Sequence, residues 1–154
     1  MRKCWSSSAD TYRAESSCFQ SALEPFLCGA AGILAERQVT THWSARRLMQ
    51  HYGAVVADAR VVVDGNLISA AGVTAGLDAS LVLASLLRGD AVAQEIQLSL
   101  EYAPNPIFNS GTPESAPAEV LESFWKKYEP IGTAREAEAI RYATDRSREQ
   151  ILPR

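Results

Sequence analysis

From Met1 to about Glu24 the chain shows neither a period of 2 nor one of 3.6; serines, charges and isolated aromatics are mixed without an apolar face. Such a stretch specifies no packed element. From about Pro25 to Tyr102 the pattern is regular. Ala30, Ala31, Ile33 and Leu34 fall on a short helical stripe, and Gln38 to Thr41 is strand-like. Ser44 stands where a cap belongs, ahead of a helix running through Arg47, Leu48 and His51 to Gly53. Val61-Val62-Val63, Asp64-Gly65-Asn66 and Leu67-Ile68 spell a β-hairpin, because Gly and Asn accept the positive φ that tight primed turns require.

Gly72-Val73-Thr74-Ala75-Gly76 then leads into a helix with Leu77, Leu81, Ala84 and Leu87 on one face, stopped at Gly89. Asp90 is expected to cap a further helix that turns Val92, Ile96 and Leu100 inward. Strands alternating with helices predict an α/β layered domain. Pro104, Pro106, Pro113 and Pro117 mark an extended connector, followed by a short helix from Ala118 to Tyr128 with Val120, Leu121, Phe124 and Trp125 as its packing face. Beyond Pro130, Thr133 to Gln150 is helical by propensity but carries only Ile140 and Tyr142 as large apolar groups. This predicts a solvated or partly disordered tail, with Arg135, Glu138 and Arg141 on its wet face. The division expected is an irregular segment 1–28, an α/β domain 29–117 and a helical tail 118–154.

The 154 residues, 47% hydrophobic and 21% charged, suffice for one domain with a core. A net charge of −3 without a long basic run argues against nucleic acid as a partner. Cys4, Cys18 and Cys28 have no metal-ligand spacing and form no even disulfide set, which suits a reducing, cytoplasmic compartment and no metal. Met1-Arg2-Lys3 is followed by Ser6-Ser7-Ser8-Ala9-Asp10 where a signal peptide needs apolar residues, and no segment is long enough to span a bilayer, so no membrane partner is expected.

Four pieces occur in a telling order: Gly29-Ala30-Ala31-Gly32-Ile33-Leu34, Thr40-Thr41-His42-Trp43, Val62-Val63-Asp64-Gly65-Asn66-Leu67-Ile68, and Gly72-Val73-Thr74-Ala75-Gly76-Leu77-Asp78. Together they resemble the C-terminal half of the ThiJ/PfpI superfamily, class I glutamine-amidotransferase-like, in its isonitrile-hydratase-like branch. The similarity extends through Leu100-Glu101-Tyr102 and Pro106-Ile107-Phe108-Asn109-Ser110-Gly111 to about Pro117. The resemblance implies a partial flavodoxin-like three-layer sandwich of α/β class, with an irregular N-terminal segment and a polar C-terminal helix. It also implies a nucleophilic cysteine on a strand-to-helix elbow, where a helix N-terminus favours the thiolate. The reaction implied adds water across an isonitrile to give an N-substituted formamide, a lyase activity, with no metal or organic cofactor.

In that branch the elbow reads Cys-Thr-Gly. Counting back from Gly29 puts the nucleophile at Ala22, within Ser21-Ala22-Leu23-Glu24-Pro25-Phe26, so the thiol is absent. The early strands that carry its acidic partner are absent too. Read one base earlier, codons for Ser21 to Phe26 accommodate Cys-Thr-Gly-Ala-Phe with the cysteine at position 22. Residues up to about Leu27 are therefore expected to be out-of-frame translation, with family sequence resuming near Gly29.

By the same resemblance His42 is the remaining catalytic candidate, placed to tune a thiolate or shuttle a proton. Without a cysteine its alternative is a hydrogen-bonded structural histidine. Thr41, beside Thr40 on a strand, is a weaker pocket candidate. Gly72, Val73 and Thr74 enter a helix, so their backbone N–H groups are expected to face a bound polar group, a tight turn being the alternative. Cys18 lies four residues before the elbow position, Cys28 reads as a packed thiol, and His51 as an exposed residue near a helix C-terminus.

Two functions follow as expectations: an impaired or inactive relative of a cysteine-dependent hydratase, or a non-enzymatic ligand-sensing or dimer-forming module similar to the ThiJ/PfpI domains of AraC-type transcription regulators. Those regulators carry a helix-turn-helix after this region, where the present chain has one thin polar helix. An unstable product of a damaged gene is the third. Turnover, a dimer without turnover, and aggregation tell the three apart. A small-molecule ligand and a homodimer are expected, since a half-sheet leaves strand edges for a partner chain to cover.

Overall fold

Short strands and helices alternate along the chain as the hydrophobic pattern predicts. The computed structural model describes residues 18–20 and 25–151. In order they form β1 (Cys18–Gln20), α1 (Pro25–Ala30), β2 (Gln38–Val39), a 3-10 helix (Trp43–Tyr52), β3 (Val55–Val56), β4 (Val61–Asp64), β5 (Leu67–Ala70), α2 (Ala75–Arg88), α3 (Asp90–Ser99) and α4 (Ala118–Ile151). β1 thus falls within the stretch read as irregular, and α1 crosses the boundary expected at residue 28.

β5 is the centre. It pairs parallel with β1, Phe19 opposite Ile68, and antiparallel with β4, Val62 opposite Ser69. β2 and β3 make a separate parallel pair. All four β5 residues are buried, and successive side chains serve opposite faces. Leu67 joins Leu34, Val39, Leu48, Met49 and Tyr52, beneath the 3-10 helix and α4. Ile68 and Ala70 meet Ala75 and Ala79 of α2 on the other side. A strand apolar on both faces requires helices on both, which is the three-layer, flavodoxin-like α/β arrangement. Each such Leu or Ile contributes about 1.5–3 kcal/mol of burial.

The hairpin turn forms as its residues demand. Gly65 takes φ +56° while Asn66 does not go positive, the pattern of a turn with glycine first. Arg37 ties β2 to it: Nε donates to Asp64 Oδ2 at 3.0 Å, and the Gln38 N–H donates to the same oxygen at 2.8 Å.

Several expectations are corrected. The stripe expected over Ala30–Leu34 is not helical beyond Ala30, because Gly32 (φ +75°) and Glu36 (φ +62°) turn the chain out of the helix. The strand expected over Gln38–Thr41 stops at Val39; Thr40 instead donates its N–H to Ser69 Oγ and its hydroxyl to the Ala59 carbonyl. Ser44 lies inside its helix, which is 3-10 throughout, and the cap is His42, whose Nδ1 accepts the Ser44 N–H. Gly53, at φ +74°, closes the other end. Asp90 does not cap α3; Gly89 does, and the Asp90 carboxylate takes the Ser85 hydroxyl. Ile96 and Leu100 point out, because α3 meets α2 through small, buried Ala93.

The largest correction concerns α4. Pro130 was expected to separate a short helix from a solvated tail, yet Ala118–Ile151 is one helix of 34 residues. An interior proline costs about 3 kcal/mol through its lost N–H and its clash with the preceding turn. Packing on both sides holds the helix together. Phe124 lies 4.7 Å from Trp43 on one side, and on the other Ala139 is fully buried and Tyr142 lies 4.8 Å from Tyr52. No helix among the described residues is long and apolar enough to cross a membrane.

Candidate functional site

Where β5 ends, Ala71 donates its N–H to the Arg60 carbonyl and the chain swings into α2. The N–H groups of Gly76 and Leu77 return to the carbonyls of Val73 and Thr74. Those of Gly72, Val73 and Thr74 donate to no protein acceptor among the described residues. They lie at the positive end of a 14-residue helix, a setting that favours an anionic or electron-rich group. Arg60 adds charge there: its Nη2 donates to Thr74 Oγ1 at 3.1 Å and its Nε to the Asp78 carboxylate, which also accepts the Tyr102 hydroxyl at 2.9 Å. The Asp78 hydrogen bond is the main cause that raises the Arg60 pKa.

Across a cleft of about 530 Å³ stands His42. Its Nδ1 contacts Ser44 Oγ at 2.8 Å, and its ring lies 5.2 Å from Trp43 and 6.2 Å, nearly parallel, from Phe124. Burial, then the positive charges of Arg46 and Arg135, lower its pKa below the ordinary histidine value. The imidazole is therefore neutral at pH 7, able to take a proton at one nitrogen.

His42, Gly72, Val73 and Thr74 thus line the same cleft. Thr41 does not: it is wholly buried, and its Oγ1 has no hydrogen-bond partner among the described residues. Ala22, the position expected for the nucleophile, lies outside the described residues, between the end of β1 and the start of α1. Cys28 packs against the core, and His51 is half-buried rather than exposed. Among the described residues no cluster of three His, Cys, Asp or Glu side chains could hold a metal ion.

The cleft also contains residues that the sequence did not single out. Asp58 bridges to Arg46 at 2.5 Å, and Glu114 enters from the connector, where Thr112 and Ser115 hydrogen-bond to each other. Asp58 and Arg60 lie between strands and Glu114 among prolines, so no periodicity marks them. The arrangement can hold the polar end of a small molecule at the α2 N-terminus beside a neutral imidazole.

Comparison with known proteins agrees with this architecture. Residues 23–86 match the DJ-1/PfpI family. Over 102 residues the chain is 47% identical to the isonitrile hydratase of Pseudomonas putida, covering 66% of this chain and 45% of that protein. Among solved structures it is similar to a ThiJ/PfpI family protein from Pseudomonas syringae, with TM-score 0.78, 34% identity, and coverage of 90% of this chain and 57% of that one. A DJ-1 superfamily protein from Salmonella typhimurium follows, with TM-score 0.50, 30% identity, and coverage of 60% and 50%. The chain spans about half the length of these relatives.

Proposed function

We propose that this chain, a DJ-1/PfpI family member through residues 23–86, is a relative of the isonitrile hydratases that keeps a small-molecule cleft and has lost the thiol chemistry. The supporting observation is the convergence of His42 with Gly72, Val73 and Thr74 on one cleft in a chain 47% identical to such an enzyme. Hydration converts R–NC and water to R–NH–CHO, forming a C–O bond and moving protons to carbon and nitrogen. Neutral His42 is suited to carry a proton, and the N–H groups of Gly72, Val73 and Thr74 to hold the polar end of substrate or product. With alanine at position 22, no elbow thiolate is available to start the reaction. Homodimerisation in the cytoplasm belongs to the same proposal, and a dimer would cover exposed Leu98, Leu100, Ile107 and Phe108.

The test is to restore the elbow as Ala22→Cys, Leu23→Thr, Glu24→Gly and assay formamide formation from an alkyl isonitrile. The parent chain should bind alkylformamide and give no product, and the triple variant should gain slow turnover at most, since the acidic partner of the thiol is still missing. Turnover by the parent, or no binding by either protein, would refute the proposal. Sequencing the coding DNA across Ser17–Gly29 tests separately whether a shifted frame encodes Cys-Thr-Gly.

A further inference from the structure

α4 touches the 3-10 helix on both sides of Pro130, and a second cleft of about 880 Å³ opens between the two helices there. That is room for a small organic molecule. Two of its walls are Trp43 and Trp125, with ring centroids 5.2 Å apart and planes 88° to one another. Trp125 is 40% exposed, so part of its ring is free for a ligand.

Charge decides which ligand. Arg46 and Arg47 also line this cleft, but each is already ion-paired, with Asp58 at 2.5 Å and with Glu136 at 3.0 Å. What remains is Glu122, Lys126 and Glu129, none of which forms an ion pair among the described residues. Lys126 lies four residues after Glu122 and three before Glu129, so it can offset one carboxylate and leaves the other in surplus. Trp43 is packed by His42, Phe124 and Trp125, so the exposed part of Trp125 beside one surplus carboxylate is what the cleft offers a cation.

We propose that this cleft binds an organic monocation, an aryl- or alkylammonium whose charge meets Glu122 and Glu129 and whose apolar body lies against Trp125. An anion finds Arg46 and Arg47 already paired and Lys126 flanked by Glu122 and Glu129, and a neutral molecule leaves the surplus carboxylate unused. Trp43 and Arg46 line both clefts, yet the proposal does not depend on the chemistry at His42.

The experiment titrates the full chain with phenethylammonium, following tryptophan fluorescence excited at a wavelength the ligand does not absorb, and repeats it with 2-phenylethanol and 3-phenylpropanoate. Saturable binding of the cation is expected, at least about tenfold tighter than either analogue. Glu122→Gln with Glu129→Gln should weaken it about tenfold, and Lys126→Gln should tighten it by freeing a carboxylate. These side chains are on the exposed face of α4, so folding is not at risk. Equal binding of the alcohol, no saturation, or Lys126→Gln weakening the cation overturns the proposal.

Discussion

Replacing Gly29 by alanine tests how α1 sits on the core. A Cβ built at Gly29 would lie 2.5 Å from Tyr52 Cγ and 2.6 Å from Cδ1, well inside contact distance. Tyr52 cannot withdraw, because it is 5% exposed and held between Phe26, at 6.2 Å, and Tyr142, at 4.8 Å. Overpacking of this kind costs about 1–3 kcal/mol. A contact this short belongs in the upper part of that range, about 2–3 kcal/mol, and alanine returns about 1 kcal/mol of helix propensity, so the net loss is about 1–2 kcal/mol. Gly132→Ala is the control: it lies in α4 with nothing within 4 Å of its added Cβ, so only the propensity gain remains. With a urea m-value of about 1–3 kcal/mol per molar, the Gly29→Ala midpoint should fall by roughly 0.3–2 M while Gly132→Ala rises. A Gly29→Ala chain unfolding at or above the parent midpoint would refute this packing.

Two further outcomes concern pH. The Gln38 N–H, and then Arg37, hold Asp64 below the ordinary carboxylate range. A depressed acid contributes stability that is complete above about pH 4 and is lost as pH falls through the folded value. Asp64→Asn should therefore flatten the acid limb of a plot of thermal midpoint against pH; an unchanged limb contradicts the role of Asp64. His42, also depressed, takes its proton more readily in the unfolded chain, so its contribution is present above about pH 6.5 and fades as pH drops toward the folded value. NMR titration of its ring protons should give a midpoint below 6.5, and a midpoint at or above it excludes the buried, arginine-flanked setting.

The hairpin and the extent of α2 were legible because each depends on nearby residues, Val61-Val62-Val63, a glycine at the turn and leucines before Gly89, although α2 buries Ala75 and Ala79 and leaves Leu77 46% exposed. What the sequence hid is set by distant contacts. Nothing local distinguishes Ala139 from the other alanines of α4, yet it is the one fully buried against the core. Ile96 and Leu100 read as inward by period, but the close approach of α3 to α2 selects Ala93. In the site, His42 and Gly72 were legible through a resemblance in order and spacing, whereas Asp58 and Glu114 reach the cleft through irregular segments.

α4 begins beyond the segment that matches the DJ-1/PfpI family, and its sequence is among the most polar in the described chain. Even so, its Phe124 lies nearly parallel to the His42 ring and packs on Trp43 beside it. Burial is the first cause of the low His42 pKa, and these rings lie beside the imidazole, so α4 helps keep it neutral. The same helix bridges Glu136 to Arg47 and places Arg135 where its charge further disfavours a protonated imidazole. A helix whose sequence suggests a solvated tail therefore bears on the protonation of the one histidine that lines the cleft. Its stacking holds it across Pro130, and that stacking also sets the environment of His42.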